Sequence, residues 1–195
     1  LGFAEQLEFL ESIDGSDLED FGGIEKVKSI FLKAAKATCD FYIDNSSLDG
    51  ITYWDTGGPQ MHKLGEYQAR IAEPDNLYEP VDSSASAIGA QGLLRLGRYL
   101  NEKGDANGDK YFQAGLTICN TLLEDTYLST NDNHQGLLLH SIYHHPNGWD
   151  FIPEGSKIPN GESSMWGDYH FRELMLLLNR MNKGESYYTF FAGLV

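Results

Sequence analysis

Apolar residues recur along this chain with helical spacing in five places. Phe3, Leu7, Leu10 and Ile13 share one face of a first segment. Ile24, Val27, Phe31, Ala34, Thr38 and Phe41 form a longer stripe. A third segment runs from about Ser83 to Glu102, with Leu93, Leu96 and Leu100 on one face and small residues (Ala85, Ala87, Gly89, Ala90, Gly92) near its start. Phe112, Gly115, Leu116, Cys119, Leu122 and Leu123 mark a fourth. Phe171, Leu174, Met175, Leu178 and Met181 mark a fifth. Two short runs, residues 51–55 and 136–140, have the spacing of strands instead.

The connections alternate in length. Residues 14–17 and 103–109 are short turns, whereas 45–82 and 126–166 are long and rich in Gly, Pro, His, Trp and Tyr. Long ordered loops are uncommon unless they carry function. The pattern predicts an all-α fold of helical hairpins whose long loops gather on one face, with short strand-like segments inside those loops. No compositional break marks a second domain, and no low-complexity tract occurs.

Composition narrows the function. The net charge is −15, from 14 Lys and Arg against 29 Asp and Glu, a field that repels nucleic acid and anionic membranes. No run of about 18 apolar residues is present to span a bilayer. Aromatic residues make up 12% of the chain, which suits either a large core or a cleft whose rings stack on sugar faces. Cys39 and Cys119 fall in helical stretches and read as small buried hydrophobes.

Several motifs have both a structural and a functional reading. Asp82, ahead of Ser83-Ser84-Ala85, suits a helix N-cap, and the small side chains after it leave room for a ligand. Trp166-Gly167-Asp168-Tyr169 has the same duality. Asp168 is read as the cap and as a partner for Arg172, Gly167 as a point of close approach, and Trp166 as a staple or a stacking face. Residues 138–146 hold His140, His144 and His145, with no Cys or carboxylate at zinc spacing, so no metal site is expected. His140 reads as a neutral core histidine. Asp105-Ala106-Asn107-Gly108-Asp109 begins like a calcium loop, but its glycine comes one place early and position twelve is Leu116, so it reads as a turn. No nucleophile elbow, phosphate loop or dinucleotide fingerprint is present, and no cofactor is expected.

Four stretches together resemble a known family. Residues 50–59 (GITYWDTGGP), 79–97 (EPVDSSASAIGAQGLLRLG), 136–148 (GLLLHSIYHHPNG) and 163–176 (SSMWGDYHFRELML) are similar, in order and spacing, to the C-terminal region of the unsaturated glucuronyl hydrolases, glycoside hydrolase family 88. The resemblance covers nearly all of residues 1–182, with 60–78 looking like an insertion and 183–195 outside it. It implies that residues 1–195 are the C-terminal part of one (α/α)6-barrel domain. The helix opening at Leu1 would follow a missing N-terminal part of the ring that carries the catalytic aspartates, so catalytic residues are expected upstream of Leu1 and this piece alone is expected to be inactive.

The reaction so implied is hydration of the C4=C5 enol ether of an unsaturated uronic acid at the non-reducing end of a lyase-generated oligosaccharide. By the same resemblance, Trp54, Tyr143, His144, Ser164, Trp166 and Asp168 would contact substrate. The partners would be that oligosaccharide and the rest of the ring, and the setting the cytoplasm or periplasm of a bacterium. The alternatives are an unsaturated rhamnogalacturonyl hydrolase of the sister family 105, a non-catalytic carbohydrate-binding module, and a fragment without function of its own.

Overall fold

The structure is a computed structural model that describes residues 1–191. It has five α-helices: α1 (Gly2–Ser12), α2 (Ile24–Asn45), α3 (Ser83–Glu102), α4 (Gly108–Leu122) and α5 (Met165–Asn182). They match the five apolar stripes. No sheet forms among the described residues. The two strand-like runs are extended, but each contributes a single bridge, Tyr53 with Val81 and Leu138 with Leu128. Neither run meets a partner long enough to build a ladder.

α3 is the hub, because small or apolar residues cover most of its circumference. Ala87, Ala90, Leu93, Leu94, Leu96 and Leu100 are all buried. α4 lies antiparallel against it: an added Cβ on Gly97 would meet Gly108 and Phe112, and one on Gly115 would meet Leu94 and Ala90. α2 is also antiparallel to α3, with Tyr42 against Gly89 near one end and Lys36 paired to Asp105 beyond the other, 2.8 Å apart. α1 and α5 run with α3. Arg95 of α3 pairs with Glu8 of α1 at 2.7 Å, and Gln91 of α3 donates to the His170 carbonyl of α5 at 3.1 Å.

Three helices therefore point one way and two the other. The short turns 13–23 and 103–107 sit at one end, and the long segments 46–82 and 123–164 both lie at the opposite end. The segment 60–78 is packed rather than looped out. Its two 3-10 turns place Met61, Leu64 and Tyr67 in the core, where Tyr67 meets Tyr53 edge to face at 5.3 Å.

Candidate functional site

The N-terminal ends of α3 and α5 lie side by side and draw in both long segments. Asp82 caps α3, as expected, by accepting the Ser84 N–H at 3.0 Å. Its carboxylate also accepts the Ser84 hydroxyl at 2.6 Å and the Ile142 N–H at 3.4 Å, tying loop 136–148 to the helix start. Burial pushes the Asp82 carboxyl up from its ordinary value.

The cap of α5 corrects the sequence reading. Ser164, not Asp168, is the N-cap, accepting the Gly167 N–H at 3.1 Å. Asp168 falls one turn later, inside the helix, where its side chain points across to the neighbouring loop. There it accepts the Leu137 N–H at 3.0 Å and the Leu138 N–H at 2.9 Å. Its ion pairing with Arg172 does not form; the carboxylate satisfies two backbone donors that the single-bridge strand leaves unpaired. Gly167 is needed for close approach, but by the chain itself: an added Cβ would lie 2.3 Å from the Ser141 hydroxyl oxygen and 3.3 Å from the Ser84 Cβ. Trp166 joins the helix ends through its Nε1–H, which donates to Ser84 Oγ at 3.3 Å.

The histidines divide as adjacent residues must. His144 packs against Trp149 with ring centroids 5.1 Å apart and planes tilted by 51°, while His145 meets the Trp54 ring edge to face at 5.1 Å. His140 is buried among core residues, its Nδ1 accepts the Gly161 N–H at 3.0 Å, and burial lowers its pKa. It is the core histidine expected, although its backbone adopts φ 65, an uncommon left-handed conformation. Among the described residues no three His, Cys, Asp or Glu side chains cluster as metal ligands would.

Trp54 is fixed from below. Glu79, 1% exposed, accepts the Trp54 indole N–H at 2.6 Å and the Gln60 backbone N–H at 2.6 Å. Tyr143, more than half exposed, has its ring 5.3 Å from Trp166 and 5.6 Å from Trp149. The six expected site residues thus lie at one end of the bundle, linked through Ser84, His145 and Trp149. They do not line one cavity. Trp54 borders a space of about 490 Å³ between α2 and α3. Ser164 and Asp168 border another of about 340 Å³ with His134 and Gly136. Tyr143 and His144 stand on the open surface between.

A larger space of about 650 Å³ runs along α5 beneath Tyr187 and Tyr188 and includes Arg95 and Arg172. Arg95 offers little to an anion there, because its guanidinium is already paired to Glu8 at 2.7 Å and Glu5 at 3.4 Å. Sequence reasoning missed Glu79, His145 and Trp149. Glu79 and His145 lie inside stretches the sequence had singled out, 79–97 and 136–148, and Trp149 one position beyond the second, but nothing local in them marked the bond to the Trp54 indole or the ring contacts.

Helices alternating in direction, with long aromatic connections at one end, define a segment of an α/α-hairpin ring. The comparisons say which ring. No family model matches the chain. It is 31% identical over 157 residues to an unsaturated glucuronyl hydrolase of Bacillus sp. strain GL1, covering 80% of this chain and 35% of that protein. It is 28% identical to one from Formosa agariphila, covering 74% and 30%. It is 26% identical to an unsaturated chondroitin disaccharide hydrolase of Streptococcus agalactiae, covering 72% and 29%.

Among solved structures, the Bacillus sp. GL1 unsaturated glucuronyl hydrolase, responsible for degradation of glycosaminoglycan, superposes with a TM-score of 0.61 at 28% identity, over 92% of this chain and 37% of that one. A variant of such an enzyme with dGlcA-Glc-Rha-Glc matches at a TM-score of 0.60 and 28% identity, over 92% and 37%. The relatives and solved structures that this chain matches are unsaturated glucuronyl hydrolases of glycoside hydrolase family 88, whose fold is an (α/α)6 barrel; the match is partial, and the chain spans about a third of the length of those curated relatives.

Proposed function

We propose that residues 1–195 are the C-terminal part of an (α/α)6-barrel glycoside hydrolase that releases unsaturated glucuronyl residues from the non-reducing end of lyase-generated oligosaccharides, and that this part supplies one wall of the sugar cleft. The observation that carries the reading is the meeting of Trp54, Tyr143, Ser164 and Trp166 around the N-terminal ends of α3 and α5, although they come from three distant stretches of sequence.

The chemistry needs one carboxyl group as acid and then base. It delivers a proton to C4, water bonds to C5, and the resulting hemiketal collapses to release the neighbouring sugar. Within the wall, Trp54 and Trp166 present ring faces to the sugar. Tyr143 and His144 bring hydrogen-bonding groups from the exposed loop, and Ser164 turns the chain beneath them. Asp168 acts on this wall by holding the extended run 136–140 against α5.

The acid comes from another part of the ring. Asp82 and Asp168 are each bound to backbone N–H groups of neighbouring segments, and Asp55 accepts its own loop's Gly57 N–H at 2.7 Å. Asp168 has both carboxyl oxygens engaged by the loop and Asp82 is buried at the α3 cap, so moving either would dismantle the wall; Asp55, exposed on its own loop, is tested by the absorbance measurement below.

Two measurements test the reading. The chain by itself should bind an unsaturated glucuronyl disaccharide, seen as a saturable change in tryptophan fluorescence, while the ultraviolet absorbance of the C4=C5 bond stays constant. A steady fall in that absorbance would show that a working acid lies within these residues. In the ring-complete enzyme, Tyr143→Phe or His144→Ala should raise KM or lower kcat; unchanged kinetics would remove those residues from the site.

A further inference from the structure

The turn after Tyr143 is built to present a ring. Asp150 folds it back: its carboxylate accepts the Tyr143 N–H and, at 2.8 Å, the His144 N–H. Residues 145–147 form a 3-10 turn, and Gly148 follows in the left-handed conformation, φ 64. The next residue, Trp149, therefore returns over the turn. Its ring lies 5.6 Å from Tyr143 with an interplanar angle of 30°, and 5.1 Å from His144. Tyr143 in turn lies 5.3 Å from Trp166, again at 30°. Three rings thus follow one another outward from the α5 cap, and Trp149, the outermost, is 61% exposed.

Backbone hydrogen bonds hold this turn in place, not core packing, so the exposed indole is not explained by folding. Its charge surroundings are also informative. Residues 136–166 carry Asp150, Glu154 and Glu162 against Lys157 alone. Beside Trp149, the Asp150 carboxylate disfavours a sulfated unit or a second uronate at this outer ring, and flat apolar rings suit the apolar faces of neutral pyranoses.

We propose that Trp149 is a specificity-determining residue: a platform on which a neutral pyranose further along the oligosaccharide stacks, beyond the unsaturated unit and its immediate neighbour. The proposal rests on the reading above. It adds that affinity rises with chain length through this one ring, and that disaccharides do not reach it.

The test compares three ligands on the 195-residue chain by calorimetry: an unsaturated glucuronyl disaccharide, an unsaturated tetrasaccharide ending in neutral sugars, and the same tetrasaccharide with its double bond reduced. Trp149→Ala should weaken tetrasaccharide binding about tenfold, equivalent to about 1.4 kcal/mol. It should change disaccharide binding by less than about twofold, since the shorter ligand ends before it reaches the outer ring. Trp149→Phe should recover most of the loss, which a mere disturbance of the turn would not. Equal losses on both lengths, or none on the tetrasaccharide, would overturn the platform, as would wild-type chain that binds neither tetrasaccharide. Equal wild-type affinity for the unsaturated and reduced tetrasaccharides would instead overturn the unsaturated-uronate reading while leaving the length effect of Trp149 standing.

Discussion

Glu79 is the residue on which the position of Trp54 depends. Its carboxylate is almost fully buried and receives two donors, the Trp54 indole and the Gln60 amide, both at 2.6 Å. An added Cβ on Gly58 would lie 2.9 Å from the Glu79 carboxylate, so the loop is closed tightly around it. Glu79→Ala strips both acceptors at once. Each orphaned buried donor costs about 1–3 kcal/mol. Two terms reduce the total: Trp54 is only half-buried and can turn its N–H toward water, and removing a buried anion recovers desolvation energy. The expected net loss is about 2–4 kcal/mol.

Glu79→Gln keeps one acceptor but sets an NH2 against the second donor, so about 1–2 kcal/mol is expected. With a urea m-value of about 2 kcal/mol/M, the alanine variant should unfold at a midpoint lower by about 1–2 M, read by circular dichroism. An alanine variant within about 0.5 kcal/mol of the parent would refute the reasoning. A glutamine variant less stable than the alanine one would show that the NH2 forced against the second donor costs more than the retained acceptor contributes.

Three further outcomes are expected. Gly167→Ala gains about 1 kcal/mol of helix propensity but forces Ser141 and Ser84 apart, which costs about 1–3 kcal/mol, so a small net destabilisation should appear in the thermal midpoint and a stabilised variant would contradict the packing. Burial pushes the Cys39 thiol up to about 11 and Cys119 to about 12, so neither should react with an aromatic disulfide reagent at neutral pH until urea is added; labelling of the folded chain would contradict their burial. Lys36 and the Asn107 amide hold Asp105 down from 3.8 to about 2; a depressed carboxylate stabilises the fold above the ordinary value and loses that effect as pH falls through 2, so the stability gap between the parent and Asp105→Asn should be full at pH 6 and shrink toward pH 2, whereas a gap independent of pH would rule out the pair.

The helices were legible from apolar periodicity, and Leu93, Leu96 and Leu100, on adjacent turns of α3, are all buried; in α2 the buried residues are instead Ala35 and Cys39, while Phe41 of the expected stripe is exposed. The site was legible as a set of stretches, through the similarity of four motifs to one family. What local sequence does not encode is which side chain completes which backbone. Asp168 and Ser164 are both good caps by residue type. The choice fell to Ser164 because residues 137 and 138, about thirty positions away, need the carboxylate. In the same way, Glu79 serves Trp54 across 25 residues. The strand-like runs failed as strands for the related reason that pairing needs a partner, and each found only one residue opposite.

The central claim is that the two long segments and the N-terminal ends of α3 and α5 form one sugar-binding wall. The direct measurement is a titration of the isotope-labelled chain with unsaturated glucuronyl oligosaccharide, followed by amide chemical shifts. Perturbations confined to residues 52–56, 82–86, 140–150 and 163–168 are predicted. Perturbations centred on the short turns 13–23 and 103–107, at the other end of the bundle, would contradict it.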